Sequence, residues 1–445
     1  MSLLSLLPLM IILVGGYILI KLRFFYILHP IRTVKFAFSG ENTKNSIISL
    51  LLALAGTLGV GNIVGVAFGI YVGGAGSVFW LCVSAFFSSA IKYAEVGLSS
   101  YHKGGWGFIS VIEDSGAYQG LLPKLYAALA LILSFAMGSL LQAGAISDAT
   151  KNFDAKIRIS LLAVIFIFTC AVCVSGKKKI KNAVAAVIPI ATVIYSFCCL
   201  FIIFSEANKI PAVIKSILSS AFNFSALSGG VSAFLISSGI KEGFARGLLS
   251  NEAGAGTSSF SHTSHIKYDS YEQKTQYQDE NYPKRAAVFG VLEVFFDTLL
   301  LCPLTAFAIL LGTDIDSFNG TLGELSTIFE GYIGRLAPTL LTFSVTAFAI
   351  STVLCWYYYG RVSFSYLTRG KSMSIFSFLF ISSFAVGLFF EIPSLIFIND
   401  TVLFFLSVIT LYTLMRKRRK ISELIISTNK GLAHLGATEN DKKTT

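Results

Sequence analysis

Two kinds of polar chemistry are set into otherwise apolar stretches of this chain. The first belongs to the backbone. Gly56-Thr57-Leu58-Gly59-Val60-Gly61-Asn62-Ile63-Val64-Gly65 lies inside an apolar run, residues 46–72, long enough to cross a bilayer. Glycine weakens helix, and the Asn62 amide finds no partner in hydrocarbon. Irregular backbone at membrane depth survives only when it is buried in protein or lines a polar cavity. A break here frees N–H groups at the start of one half-helix and carbonyls at the end of the other. The N–H groups suit a carboxylate, and the carbonyls suit a cation or an ammonium. Gly59 and Gly61 let a ligand approach the main chain, and Asn62 both donates and accepts. The competing reading is close helix packing through Gly61 and Gly65.

The second kind belongs to side chains. Ser351 and Thr352 place two hydroxyls side by side, suitable for a hard cation such as Na⁺, although buried hydroxyls also bond back to their own helix. Gln142 stands in another apolar run, as a ligand to a small polar molecule or as interhelical glue. A charge at the bilayer centre costs about 2.5–3.5 kcal/mol on insertion scales, so each one needs a partner or a cavity. Lys92 and Glu95, three apart on one helix face, are expected to pair with each other. Glu293 and Asp297 have no basic residue in reach along their own helix, and either could carry a proton or hold a cation. Asn251 and Glu252 are placed to cap or gate a helix end. His262 and His265 have metal-like spacing without clustered carboxylates, and no metal site is expected there. The seven cysteines, Cys170 and Cys173 included, fall within apolar runs and read as small buried residues. No nucleophile with a base and no metal cluster stands at matched depth, so enzyme chemistry is not indicated.

The elements that must position these groups follow from hydropathy. The 445 residues are 54% hydrophobic and only 13% charged, with a mean hydropathy of +0.72, far from a soluble domain with about a quarter charged residues. Runs of about twenty apolar residues recur, giving about eleven predicted transmembrane helices in an all-α polytopic membrane protein. The net charge of +11 sits in short loops between spans, not on a soluble basic face, which excludes a nucleic-acid partner. The first apolar run lacks a basic segment before it and reads as a retained helix. Arg416-Lys417-Arg418-Arg419-Lys420 follows the last span and places the C-terminus in the cytoplasm, with the N-terminus outside. That orientation puts Lys177-Lys178-Lys179 inside and the acidic stretch with Asp314, Asp316, Glu324 and Glu330 outside.

The expected organisation is one transmembrane domain over 1–420 and a polar cytoplasmic tail over 421–445 without regular order. Within the domain, an extra helix at 3–20 precedes two sets of five, repeat one near 46–205 and repeat two near 227–415. The span that opens the second set carries Gly229, Gly230 and Gly239 and runs into Ser250-Asn251-Glu252-Ala253-Gly254-Ala255-Gly256. Interrupted spans at matching places in two halves point to an inverted-repeat transporter with its site near the midplane.

The segments Gly56–Ala67, Lys92-Tyr93-Ala94-Glu95, Arg246-Gly247, Ser250–Gly256, Phe296-Asp297-Thr298 and Trp356-Tyr357-Tyr358-Tyr359-Gly360 closely resemble, in order and spacing, the alanine or glycine:cation symporter family, also called sodium:alanine symporters. The resemblance implies a leucine-transporter-like fold with one preceding helix. It also implies cotransport of a small neutral amino acid such as alanine or glycine with Na⁺, in the cell (inner) membrane and without a cofactor. It places Gly59, Gly61, Asn62 and Gln142 at the substrate, Trp356 as a wall of the side-chain pocket, and Gly56, Ser351 and Thr352 at Na⁺. Coupling to H⁺ in the same fold, a channel and a membrane-embedded enzyme are the alternatives. The chain departs from the family at Gly138-Ser139 and Gln142-Ala143-Gly144, where two further amides are usual.

Overall fold

The computed structural model describes residues 3–39, 43–102, 105–118, 120–222, 237–263, 281–389 and 395–444. Every regular element among them is helical. Those used below are α1 (Leu7–Lys21), α2 (Thr43–Thr57), α3 (Val64–Gly73), α4 (Gly76–Ser100), α5 (Phe108–Asp114), α6 (Leu121–Phe135), α7 (Gln142–Ala149), α8 (Ala155–Val174), α9 (Lys177–Ser205), α10 (Ile210–Ala221), α11 (Ser238–Asn251), α12 (Ser259–His262), α13 (Tyr282–Val294), α14 (Cys302–Gly312), α15 (Leu322–Ile333), α16 (Ala337–Thr368), α17 (Met373–Phe389), α18 (Leu395–Arg416) and α19 (Arg418–Thr444).

Among the described residues, seven helices are long and apolar enough to cross a membrane. An eighth span is α2 with α3, bent by 56° at its break. α1 and α17 are shorter apolar helices. The glycine run therefore does what its composition demands: Leu58 and Gly59 leave the helix, and Val60–Asn62 make one 3-10 turn before α3 begins. The span that ends in α11 lies partly outside the described residues, and Gly229 and Gly230 with it.

Two helices organise the packing. α4 is buried along most of its length and touches α1, α11 and α13. α16, the longest helix, touches α2, α6, α7 and α9. Small residues set how closely helices approach when lipid supplies no hydrophobic drive. A Cβ on Gly243 would stand 2.6 Å from Trp80 Cβ, and one on Gly247 would stand 2.0 Å from Ser84 Oγ, so α11 meets α4 along a glycine face. The turn from α3 into α4 uses Gly74 at φ +70°, a conformation that disfavours a side chain.

Helix continuity also fails elsewhere, at two π-turns that no local pattern announced and at the interruption expected after Ser250. α6 passes into α7 through a π-turn at Ala136–Leu141, and α13 passes into α14 through another at Phe295–Leu301. α11 ends at Asn251 with Glu252 left-handed at φ 54°, and a turn with Gly254 and Gly256 leads to α12. The C-terminal segment also departs from expectation. It is helical as α19 and docks through Ile421, Leu424, Ile425 and Thr428, spaced i, i+3, i+4, i+7 as an amphipathic helix requires. Leu424 lies against Gly97, where a Cβ would come within 2.4 Å of it, and Tyr93 donates a buried 2.8 Å hydrogen bond to Thr428.

Candidate functional site

The break between α2 and α3 faces the end of α11 and the π-turn after α13. Asn62 Nδ2 donates to Asp297 Oδ1 at 2.6 Å. Ser250 Oγ lies 2.6 Å from Asn62 Oδ1 and 2.5 Å from Asp297 Oδ2. Thr298 Oγ1 donates to Asp297 Oδ2 at 2.8 Å. All four residues are buried. The Ser250 hydroxyl holds one proton and can satisfy only one of its two acceptors. Asp297 has no basic partner at ion-pair distance among the described residues. Oxygens from three separate elements thus converge around a carboxylate, a donor set suited to a hard cation or a proton.

On the other side of the break, Gln142 Oε1 accepts from the Val60 N–H at 3.3 Å, and its Nε2 donates to the Met137 carbonyl, five residues back, at 3.2 Å. The π-turn aims Gln142 there. Thr352 Oγ1 donates to the Ala55 carbonyl at 2.9 Å. A Cβ on Gly59 would fall 2.8 Å from Thr352 Oγ1 and 3.3 Å from Gln142, so that glycine is where the side chains close on the main chain. Gly56 meets Tyr359 and Cys355 in the same way. Ser351 instead bonds back to the Ala347 carbonyl at 2.6 Å. Trp356 is fully buried and donates its indole N–H to Glu252 Oε1 at 3.0 Å. Gly59, Asn62, Gln142 and Thr352 thus cluster at the break, and Trp356 stands against the second broken helix.

A cavity of about 400 Å³ reaches the break. Val60, Gly61, Gly144, Leu249, Asp148 and Arg158 line it, Val60 buried and Asp148 exposed. Its size falls in the range of small-molecule sites, about 300–1,000 Å³. Arg246 also borders it, with Nη2 2.6 Å from Asp400 Oδ2, Nε 3.3 Å from Glu242, and the guanidinium 5.3 Å from the Phe68 ring centroid. Arg246 carries no site role in the sequence reading. Its signal is a charge in an apolar run.

Toward the opposite face the interior is packed by a buried ionic network. Lys92 Nζ donates to the Asn251 carbonyl at 2.6 Å and lies 3.6 Å from Glu293. Its partner is therefore Glu293, not Glu95. Glu95 accepts from the Gly254 N–H at 2.7 Å, at the second break. His262 Nε2 pairs closely with Glu293. Glu252 accepts from Thr257 at 2.6 Å as well as from Trp356. His262 is thus a close hydrogen-bonding partner of Glu293, and His265 lies outside the described residues. The cysteines are free, and five of the seven are buried.

The model of the sodium:alanine symporter family matches residues 1–430. The chain belongs to that family. The sodium/alanine symporter AgcS of Methanococcus maripaludis is 30% identical over 423 residues, covering 88% of each chain. The putative sodium/proton-dependent alanine carrier protein YrbD of Bacillus subtilis is 27% identical over 80% of this chain and 75% of its own. The probable sodium/glutamine symporter GlnT of the same organism is 26% identical over 81% and 74%. Among solved structures, MhsT in complex with L-phenylalanine superposes with a TM-score of 0.56 at 14% identity, covering 89% of this chain and 99% of that one, which shows a shared fold. The protein is thus a multi-pass membrane transporter, helical in every regular element among the described residues and with the leucine-transporter fold, a cation-coupled amino acid carrier and not an enzyme.

Proposed function

We propose that the protein carries alanine or glycine together with Na⁺ by alternating access. One observation carries the reading: the main chain is broken where a cavity reaches it, with Asp297, Asn62 and Ser250 gathered beside the break. The N–H groups of the half-helix opened at Val60 suit the substrate carboxylate, and Gly59, Gly61, Asn62 and Gln142 border that position. Small lining residues such as Gly61, Gly65 and Gly144 favour a small substrate. Trp356 would limit the far side of the side-chain pocket.

Two places suit Na⁺. One is bounded by Gly56, the Ala55 carbonyl, Ser351 and Thr352. The other is the Asp297 oxygen cluster, which adds the negative charge that the first lacks. Na⁺ binding there would fix the two broken helices against each other and raise affinity for substrate, and differential affinity for the two states would supply coupling. The basic loops favour a cell-membrane orientation with the C-terminus cytoplasmic and the cavity mouth outside. The single domain over 1–420 with two repeats remains the organisation we favour, with α19 as a docked cytoplasmic helix. Coupling to H⁺ is the second reading, favoured by the buried His262–Glu293 pair.

Uptake of labelled alanine into proteoliposomes, with Na⁺ and pH gradients imposed separately and glycine and glutamine as competitors, tests the proposal. Uphill accumulation driven by Na⁺ alone and blocked by glycine is expected. Accumulation driven by pH alone would replace Na⁺ with H⁺, and competition by glutamine but not glycine would reject the small-substrate assignment.

A further inference from the structure

A second cavity, about 550 Å³, opens where the end of α1 meets α19. Lys21 and Arg23 border it from the α1 side and Lys430 from α19. Lys21 lies 5.9 Å from the Tyr17 ring centroid, and none of the three cations pairs with an acidic side chain among the described residues. Nearby cations behave otherwise: Lys417 and Lys420 both grip Asp114. Ser422 and Asn429 add hydrogen-bonding groups to the same cavity.

Its walls are also apolar. Ile20 is 67% exposed and Ile426 57% exposed at the edge of this basic hollow. α1 is an apolar helix that ends here, and its Leu13 is 62% exposed, so the face leading into the cavity is one that lipid covers. Cations at the end of a membrane helix, flanked by exposed aliphatic surface, match an amphiphile with an anionic head. We propose that this cavity binds the phosphate headgroup of an anionic phospholipid, whose acyl chains run along the exposed side of α1. The headgroup bridges α1 to α19. α19 in turn rests on α4 through Leu424 at Gly97 and the Tyr93–Thr428 hydrogen bond. The bound lipid therefore fastens a peripheral helix to the core of the transporter.

Native mass spectrometry of the full-length protein in detergent, titrated with phosphatidylglycerol, tests this. The combined variant Lys21→Gln, Arg23→Gln, Lys430→Gln is expected to weaken binding roughly a hundredfold, since each cation near a headgroup contributes roughly fivefold. Lys430→Gln alone, at an exposed helix position, is expected to weaken it roughly fivefold and serves if the triple variant does not fold. The remote variant Arg361→Gln, Arg369→Gln, Lys371→Gln, whose cations do not line this cavity, should bind as the wild type does, and excess inorganic phosphate should not displace the lipid. Unchanged affinity in the Lys430 variant, equal loss in the remote variant, or displacement by inorganic phosphate would each overturn the proposal, the last by identifying a soluble anion as the ligand.

Discussion

Asp297 is a carboxylate held by Asn62, Ser250 and Thr298, with no basic side chain in contact among the described residues. An uncompensated buried charge is expensive, and the proposed coupling cation would offset it. Asp297→Asn keeps the volume and removes the charge. Its half-saturating Na⁺ concentration for uptake is expected to rise at least about tenfold, the order of one lost charge-assisted contact. A variant with unchanged Na⁺ activation would take Asp297 out of the cation site. The individual polar residues here were legible because apolar spans have no use for them: Asn62, Gln142, Glu293 and Asp297 all announce themselves. Their pairings were not. The i,i+3 rule joined Lys92 to Glu95, but the Lys92 ammonium reaches Glu293 and the Asn251 carbonyl, and Glu95 takes the Gly254 N–H. Local spacing says nothing of partners some two hundred positions away in the chain.

At the scale of elements, the break at Gly59 was readable from four glycines and an amide, and the second break from Asn251 through Gly256. The π-turns were not, because an extra residue in a helical turn leaves the apolar composition unchanged. Nor was the docking of α19, whose apolar positions are few and separated by charges. Its start is pinned by Asp114, which receives Lys417 and Lys420 at 2.6 and 2.5 Å. Partial burial pushes that carboxyl up, but the two ammonium groups outweigh it and hold it at about 2, below its ordinary 3.8. A depressed carboxylate contributes fully above its unfolded value and loses its effect as pH falls through the folded one. The contact should therefore be insensitive to pH between about 5 and 8 and fail only in strong acid. Hydrogen exchange at the first turns of α19, corrected for intrinsic rates, is expected to be flat over that range and several-fold faster in Asp114→Asn. Fast exchange in the wild type at neutral pH would show that Asp114 does not hold the helix.

Across the molecule, Asp148 and Arg158 border the cavity, whereas Lys92, Glu293, His262, Glu252 and Trp356 are buried away from its lining. In the proposed orientation this form receives substrate from outside. Gly144→Cys places a thiol in the cavity where a Cβ meets only the Gly387 carbonyl, at 3.9 Å. In a background lacking the native cysteines it should react with a membrane-impermeant maleimide added outside and be protected by alanine. Reaction from the cytoplasmic side alone would reverse the orientation. Hydropathy delivered the apolar helices, because the bilayer demands them, while the burial of Lys92, Glu293 and Trp356 depends on side chains meeting across helices. The π-turns at Ala136–Leu141 and Phe295–Leu301 also bear on how this chain tolerates changes in length. Each stores a surplus residue. A single-codon deletion inside either one would be absorbed by rewinding to ordinary coil, leaving the flanking segments, Gln142 among them, in register, while in the second it would turn Asp297 off target. The same deletion elsewhere in those helices would swing everything beyond it by about 100°.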